Sequence, residues 1–512
     1  MGYSDSARRE SSAWGRSNGA GGGGWGGVGT GVPGGESIEA GRGRGAAKGA
    51  DRARWAAVIA ALVLVLVPVR TTSAGAESGV AWQACPAAAG AGNALCATIS
   101  VPLNYADAGG PRIEVMVSRI PAAGPSKGVL FGNPGGPGAD ALGFWAAASG
   151  RVPELREFEL VAVQPRGLRW STPLSCSSPV DSLSMTLRMA CEVQRPGYPE
   201  TVTTETIARD TEEVRRALGV ERISFLGISW GTNLGAVYGT LFPQHTDKLV
   251  LDSNVDPNTG WAEQTARVPA GVSRRLEDML DWIAANDSIY GLGDTRDAVR
   301  AEWRRQIGAQ NGGWFAPTVQ ATTFAAYTRT LWPYLAQGMR EYRDDPQQLR
   351  FLTYLSRPAA VTDPTSGWMR TATQCNEDGG VDLAALTGAA VTALAESDPF
   401  RQQEAVTRAG ITCVGWPRST TRVRADGGAL TTAPLLLQSR HDPATSGAAA
   451  LSAALHGSII WVGGGDHGNF TRDNPILNQA VLHYLRTGEV TRTEVPEPPI
   501  TTPNPPATVP GS

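Results

Sequence analysis

The stretch ISFLGISWGTNLGAVYGTL, residues 223–241, decides the fold. Ile223–Gly227 is a short apolar run of the kind that forms a strand covered on both faces. Thr232–Leu241 follows with a helical pattern. Between them, Gly227-Ile228-Ser229-Trp230-Gly231 sets a serine between two glycines at a strand-to-helix turn. Small flanking residues let such a strained turn lift the hydroxyl off the sheet edge, where it can act as a nucleophile. The bland alternative is a Gly-rich turn carrying an ordinary serine.

Working outward, Arg112–Ile120, Gly128–Phe131, Glu159–Val163 and Lys248–Asp252 read as strands, and Asp210–Leu218 reads as a helix closed by Gly219. Strand and helix alternating in this way imply a mostly parallel sheet flanked by helices, an α/β fold. The pattern then changes. From 257 to 432 helical segments dominate, among them Ser273–Ala285, Thr295–Gln306 and Thr323–Tyr342. Strand signals return at Pro434–Gln438 and Ser458–Val462, with a helix at Pro475–Arg486. The returning strands complete the first sheet, so 77–256 and 433–493 form one domain and 257–432 is a helical cap inserted into it. Residues 494–512 are rich in Pro and Thr and read as a disordered, extended spacer.

A serine at its free pKa is a weak nucleophile and needs a base. Only five histidines exist. His245 follows the nucleophile's helix, His456 and His483 lie in helical patterns, and His441 adjoins the best acid. His467 is left, in the Gly-rich loop Gly465-Asp466-His467-Gly468 after the last apolar strand. Asp442, at the end of the strand Pro434–Gln438 and 25 residues before His467, completes the chain order Ser, Asp, His. It would hold the imidazole tautomer and stabilise the imidazolium. Asp252, ending the strand after the serine turn, is the competing acid. Gly132-Asn133-Pro134-Gly135-Gly136-Pro137-Gly138 follows an early strand and offers close backbone amides. The expected oxyanion donors are the Trp230 amide and one from Gly135 or Gly136.

Composition bounds the rest. The 512 residues carry 45 basic and 48 acidic side chains, net −3, with 41% apolar residues, which argues against a nucleic-acid-binding basic protein and against a wholly disordered one. Only three of the basic residues are lysines. Seventeen of the 62 glycines fall in residues 1–50, too polar and Gly-rich to build a core. Arg52 and Arg54, the apolar run Trp55–Val69 and a small-residue end at Ala76 together read as a secretory signal. An uncleaved anchor is the alternative, although the run is short of the roughly 20 residues that span a bilayer. Without residues 1–76 the chain has 36 basic and 43 acidic residues, net −7. It attracts neither nucleic acid nor anionic lipid, and no stable membrane insertion is expected after cleavage. All six cysteines lie beyond this leader, and an even count in an exported chain favours disulfides. Sequential pairing, Cys85–Cys96, Cys176–Cys191 and Cys375–Cys413, is the simplest. No CxxC or HExxH spacing points to a metal, and no cofactor is implied.

Asn133-Pro134-Gly135-Gly136-Pro137-Gly138, Pro165-Arg166-Gly167 ahead of Ser171-Thr172-Pro173 and Cys176, Gly227-Ile228-Ser229-Trp230-Gly231-Thr232, Asp442-Pro443-Ala444-Thr445 and His467-Gly468 occur in that order. Together they resemble the secreted actinobacterial tripeptidyl aminopeptidases, α/β-hydrolase-fold serine exopeptidases related to proline iminopeptidases. The resemblance spans Cys85 to Arg486. It implies removal of short peptides from free N-termini, with the cap shaping the cleft and peptides as substrates. It also implies a carboxylate in the cap for the substrate's ammonium, for which Glu377 and Asp378, just after Cys375, are the candidates. Three positions depart from the family's pattern. Gln164 stands where an Asp is usual, Trp230 where a Tyr is usual, and Ser439-Arg440-His441 replaces a smaller or more acidic run. An esterase or lipase with the same triad is the first alternative, and a non-catalytic surface binding protein the second. Cell-wall association through the tail is left open.

Overall fold

The computed structural model describes residues 79–500, apart from 108, 177–183, 312, 357–362, 379 and 418–421, together with 504 and 506–509. The leader and signal expected in residues 1–76 lie outside the described residues. The described residues belong to one compact unit.

Its centre is a ten-stranded sheet: β1 (Gln83–Ala84), β2 (Leu95–Pro102), β3 (Arg112–Ile120), β4 (Val129–Asn133), β5 (Glu159–Val163), β6 (Ile223–Ile228), β7 (Thr246–Asp252), β8 (Leu435–Ser439), β9 (Ser458–Val462) and β10 (Glu494–Val495). The spatial order is β1-β2-β3-β5-β4-β6-β7-β8-β9-β10. The first three pairings in this order are antiparallel, and every pairing from β5–β4 onward is parallel. Successive strand residues face opposite sides. Phe225, Leu251 and Leu436 join the core on one face, while Leu226, Val250 and Leu437 join the core on the other. Burial on both faces explains why these strands read as unbroken apolar runs.

Between β7 and β8 lie helices from Trp261 to Arg408, with a core of their own that includes Trp303, Trp332 and Met339. β8 then pairs with β7 across this insertion, Leu251 opposite Leu436. The long helix expected over Thr323–Tyr342 is broken instead into Pro317–Ala325 and Trp332–Asp344. Pro333 sits in the first turn of the second piece, where a missing N–H is harmless; further inside a helix it would clash. Thr328, at φ −160°, is extended at the break.

The Pro/Thr-rich stretch from 494 onward, expected to be a disordered spacer, opens inside the fold. Glu494 and Val495 pair with Trp461 and Val462 of β9, and Val495 is 1% exposed. Its Pro/Thr content hid a partner that composition cannot register. Among the described residues no helix is long and apolar enough to cross a membrane. The three disulfides pair sequentially, with separations of 11, 15 and 38 residues.

Candidate active site

Ser229 stands between β6 and the helix Trp230–Leu241, at φ 57° and ψ −124°. A non-glycine residue in that region is strained and is held only by its surroundings. The Ser229 amide donates to the Asp252 carbonyl at 2.9 Å. The flanking glycines make the turn possible. A Cβ on Gly227 would lie 2.1 Å from the Gly231 carbonyl oxygen, and one on Gly231 would lie 2.7 Å from that of Asn133.

The loop after β4 is pressed against this turn. A Cβ on Gly135 would lie 2.3 Å from the Ile228 carbonyl oxygen and 2.9 Å from Ser229 Cβ. The Gly135 amide is engaged by its own loop, donating to Asn133 Oδ1 at 2.8 Å, which removes it from the expected donor pair. Among the described residues neither the Gly136 nor the Trp230 amide has a hydrogen-bond partner.

Asp442 and His467 come together at the ends of β8 and β9. His467 Nδ1 lies 3.0 Å from both carboxylate oxygens of Asp442. Burial alone would raise the Asp442 carboxyl, but the His467 ring and the Thr445 and Ala444 amides outweigh it and hold it below the ordinary aspartate value. Asp252, the competing acid, takes another part. Fully buried, it accepts from the Asn469 amide at 2.6 Å, Asn469 Nδ2 at 3.0 Å and the Phe470 amide at 2.7 Å. Next to it, Ser253 Oγ accepts from the Gly468 amide at 2.7 Å. The end of β7 therefore anchors the histidine loop. Burial pushes the Asp252 carboxyl up, against those donors.

The cap reaches both sides of the serine turn. Tyr327, in the helix break, accepts from the His467 amide at 2.8 Å and meets the imidazole edge-on at 5.2 Å. Ser366, on the helix Pro364–Asp378, donates Oγ to the Gly138 carbonyl at 2.6 Å. Neither residue carries a motif, so neither was visible in the sequence. Gln164 accepts from the Ala141 amide at 2.8 Å and donates to the Arg169 carbonyl at 2.9 Å. Arg166 finds its carboxylate in Asp210 instead, through two bonds of 2.6 and 2.8 Å. Glu377 and Asp378 are bound to protein donors. Glu377 accepts from the Thr204 amide and Trp261 Nε1, and Asp378 from the Ala262 amide at 2.7 Å.

The α/β hydrolase fold family model matches residues 129–364, and the model described as TAP-like protein matches 398–496. A tripeptidyl aminopeptidase of Streptomyces lividans is 30% identical over 84% of this chain and 88% of its own length. The chain belongs to the tripeptidyl aminopeptidase family. As a member it is an α/β-hydrolase-fold enzyme and a serine hydrolase. Other relatives of this family member are the serine protease Hip1 of Mycobacterium tuberculosis, 27% identical over 85% of this chain and 95% of that one, and a carboxylesterase B of the same species, 29% identical over 78% and 86%.

Proposed function

We propose that this enzyme is an exported exopeptidase that removes short peptides from free N-termini through Ser229, His467 and Asp442. The observation carrying the reading is the His467–Asp442 contact, on a loop where a Cβ on Gly468 would lie 3.2 Å from Ile228 Cγ2, one residue before Ser229. With Nδ1–H held by the carboxylate, Nε2 is the ring nitrogen left to take a proton. Ser229 Oγ attacks the scissile carbonyl as its proton passes to His467. The Trp230 and Gly136 amides bear on the oxyanion. The tetrahedral intermediate collapses, the amine leaves with the proton from His467, and Ser229 remains as an acyl ester. Water, giving its proton to His467, attacks the ester; release of the peptide acid restores the serine. Three disulfides fit an oxidising compartment outside the cytoplasm.

Replacing Ser229 with Ala should abolish turnover of a free tripeptide amide while leaving the thermal midpoint nearly unchanged. Full residual activity in that variant would sink the assignment. An esterase is the second reading, favoured by where the two carboxylates lie: Glu377 and Asp378 line cavities that include none of Ser229, Asp442 and His467. An unblocked tripeptide amide and its N-acetyl form separate the two. Preference for the free amine supports the exopeptidase, and equal rates support the esterase.

A further inference from the structure

Between the helices Thr204–Ala217 and Trp230–Leu241 and the cap lies a cavity of about 290 Å³. That is the lower edge of small-ligand sites, about 300–1,000 Å³. Thr204, Asn233, Glu377 and Arg422 line it, and none of Ser229, Asp442, His467, Gly135 or Gly136 does. Trp230 is 1% exposed and donates Nε1 to Thr204 Oγ1 at 3.1 Å, so its indole backs onto this wall.

Two charges at the wall lack a partner in contact. Glu200 and Glu205 also line it, and each has its own arginine, Arg188 at 2.9 Å and Arg209 at 2.8 Å. Glu377, 9% exposed, has only neutral donors, the Thr204 amide and Trp261 Nε1. Arg422 donates Nη1 to the Thr259 carbonyl at 2.7 Å and lies 5.3 Å over the same Trp261 ring, while its Nη2 is buried without a partner. Among the described residues, then, one cavity presents a carboxylate lacking a cation and a guanidinium lacking an anion. Unpaired buried charge is costly. A purely cationic ligand would meet Arg422 and a purely anionic one Glu377, whereas a zwitterion answers both.

We propose that this cavity is an accessory site for a free amino acid or short peptide, its ammonium on Glu377 and its carboxylate on Arg422, set apart from the serine. Occupancy would bear on the enzyme through Thr204, which touches both Glu377 and Trp230.

Trialanine titrated calorimetrically into the full-length Ser229→Ala protein, and into wild-type enzyme blocked at Ser229 with a fluorophosphonate, tests this. One molecule should bind the blocked enzyme, and N-acetyl-trialanine and trialanine amide should each bind at least about tenfold more weakly, the loss of one charge-assisted contact. Arg422→Gln should bring trialanine and its amide within about threefold while the preference over the N-acetyl form persists. Loss of binding on blocking, equal affinity of the three ligands, or an unchanged preference over the amide in Arg422→Gln would each overturn the proposal. Should the fluorophosphonate fail to label, the catalytic reading falls, and the Ser229→Ala titrations with the same three ligands still decide this one.

Discussion

At the scale of single residues, the serine turn is a close fit between three backbone segments. Gly135 has φ 97°, and a Cβ there would collide with the Ile228 carbonyl oxygen at 2.3 Å. Backbone cannot yield as a flexible side chain would, so Gly135→Ala must displace either the loop or the turn. A shift of about 1 Å at a reacting centre lowers rate by about two orders of magnitude. Steady-state kinetics of Gly135→Ala should show a fall in kcat/KM of that size; a value within twofold of wild type would mean the loop does not position the reaction. Asp442 makes a second prediction. Its native value lies below the ordinary aspartate value of about 3.9, so its ionised form stabilises the fold above that pH and loses this effect as pH falls through the lower native value. The stability difference between wild type and Asp442→Asn should therefore be widest above about pH 5 and shrink toward pH 3. A difference independent of pH in denaturation experiments would argue against the coupling. The pair Asp442 and His467 could be read from chain order and from the scarcity of histidine. Which glycine amide is free could not, because it depends on where the Asn133 side chain points.

At the scale of elements, the histidine loop is held by the ends of two strands, β7 and β8. Asp252 accepts three donors from Asn469 and Phe470, and Ser439 Oγ donates to the Asp466 carbonyl at 2.6 Å. Asp252→Asn keeps shape but presents an amide group to amide donors, so at least one of those bonds is lost. The variant should lower kcat with KM little changed, since the displaced group is the base and the substrate cleft is untouched. An equal rise in KM with kcat preserved would assign Asp252 to substrate binding instead. The parallel strands were legible because burial on both faces leaves an apolar run. β1 and β10 were not, at two residues each, and their partners lie elsewhere in the chain. The broken helix at Tyr327 escaped for a related reason: helical periodicity continues on both sides, and the gap's use lies in contacts with His467 and Asp466, distant in the chain.

At the scale of the whole molecule, the cap is tied to the sheet domain on both flanks of Ser229. On one flank, Arg169 donates its amide to Thr365 at 3.0 Å and pairs with Asp140 and Asp363, each at 3.1 Å. On the other, Arg275 and Arg329 of the cap meet Asp466, beside the base, and Glu497, from the Pro/Thr-rich stretch that follows β10. Arg275 is 2% exposed and lies 4.6 Å over the Trp332 ring, and Glu497 accepts from it at 3.2 Å and from Arg329 at 2.8 Å. Removing Glu497 leaves two buried guanidinium groups with Asp466 as their remaining shared carboxylate. Breaking one side of a buried network costs about 3–5 kcal/mol when the pair is fully buried, and less here because Glu497 keeps 26% side-chain exposure. Ending the chain after Thr493 removes β10 together with Glu497, so the shortened protein should melt at a lower temperature and turn over more slowly. Glu497→Gln should reproduce part of both effects, which separates the ion network from the lost strand pairing. If the shortened chain kept both its midpoint and its kcat, residues 494–512 would be the spacer that their composition suggests.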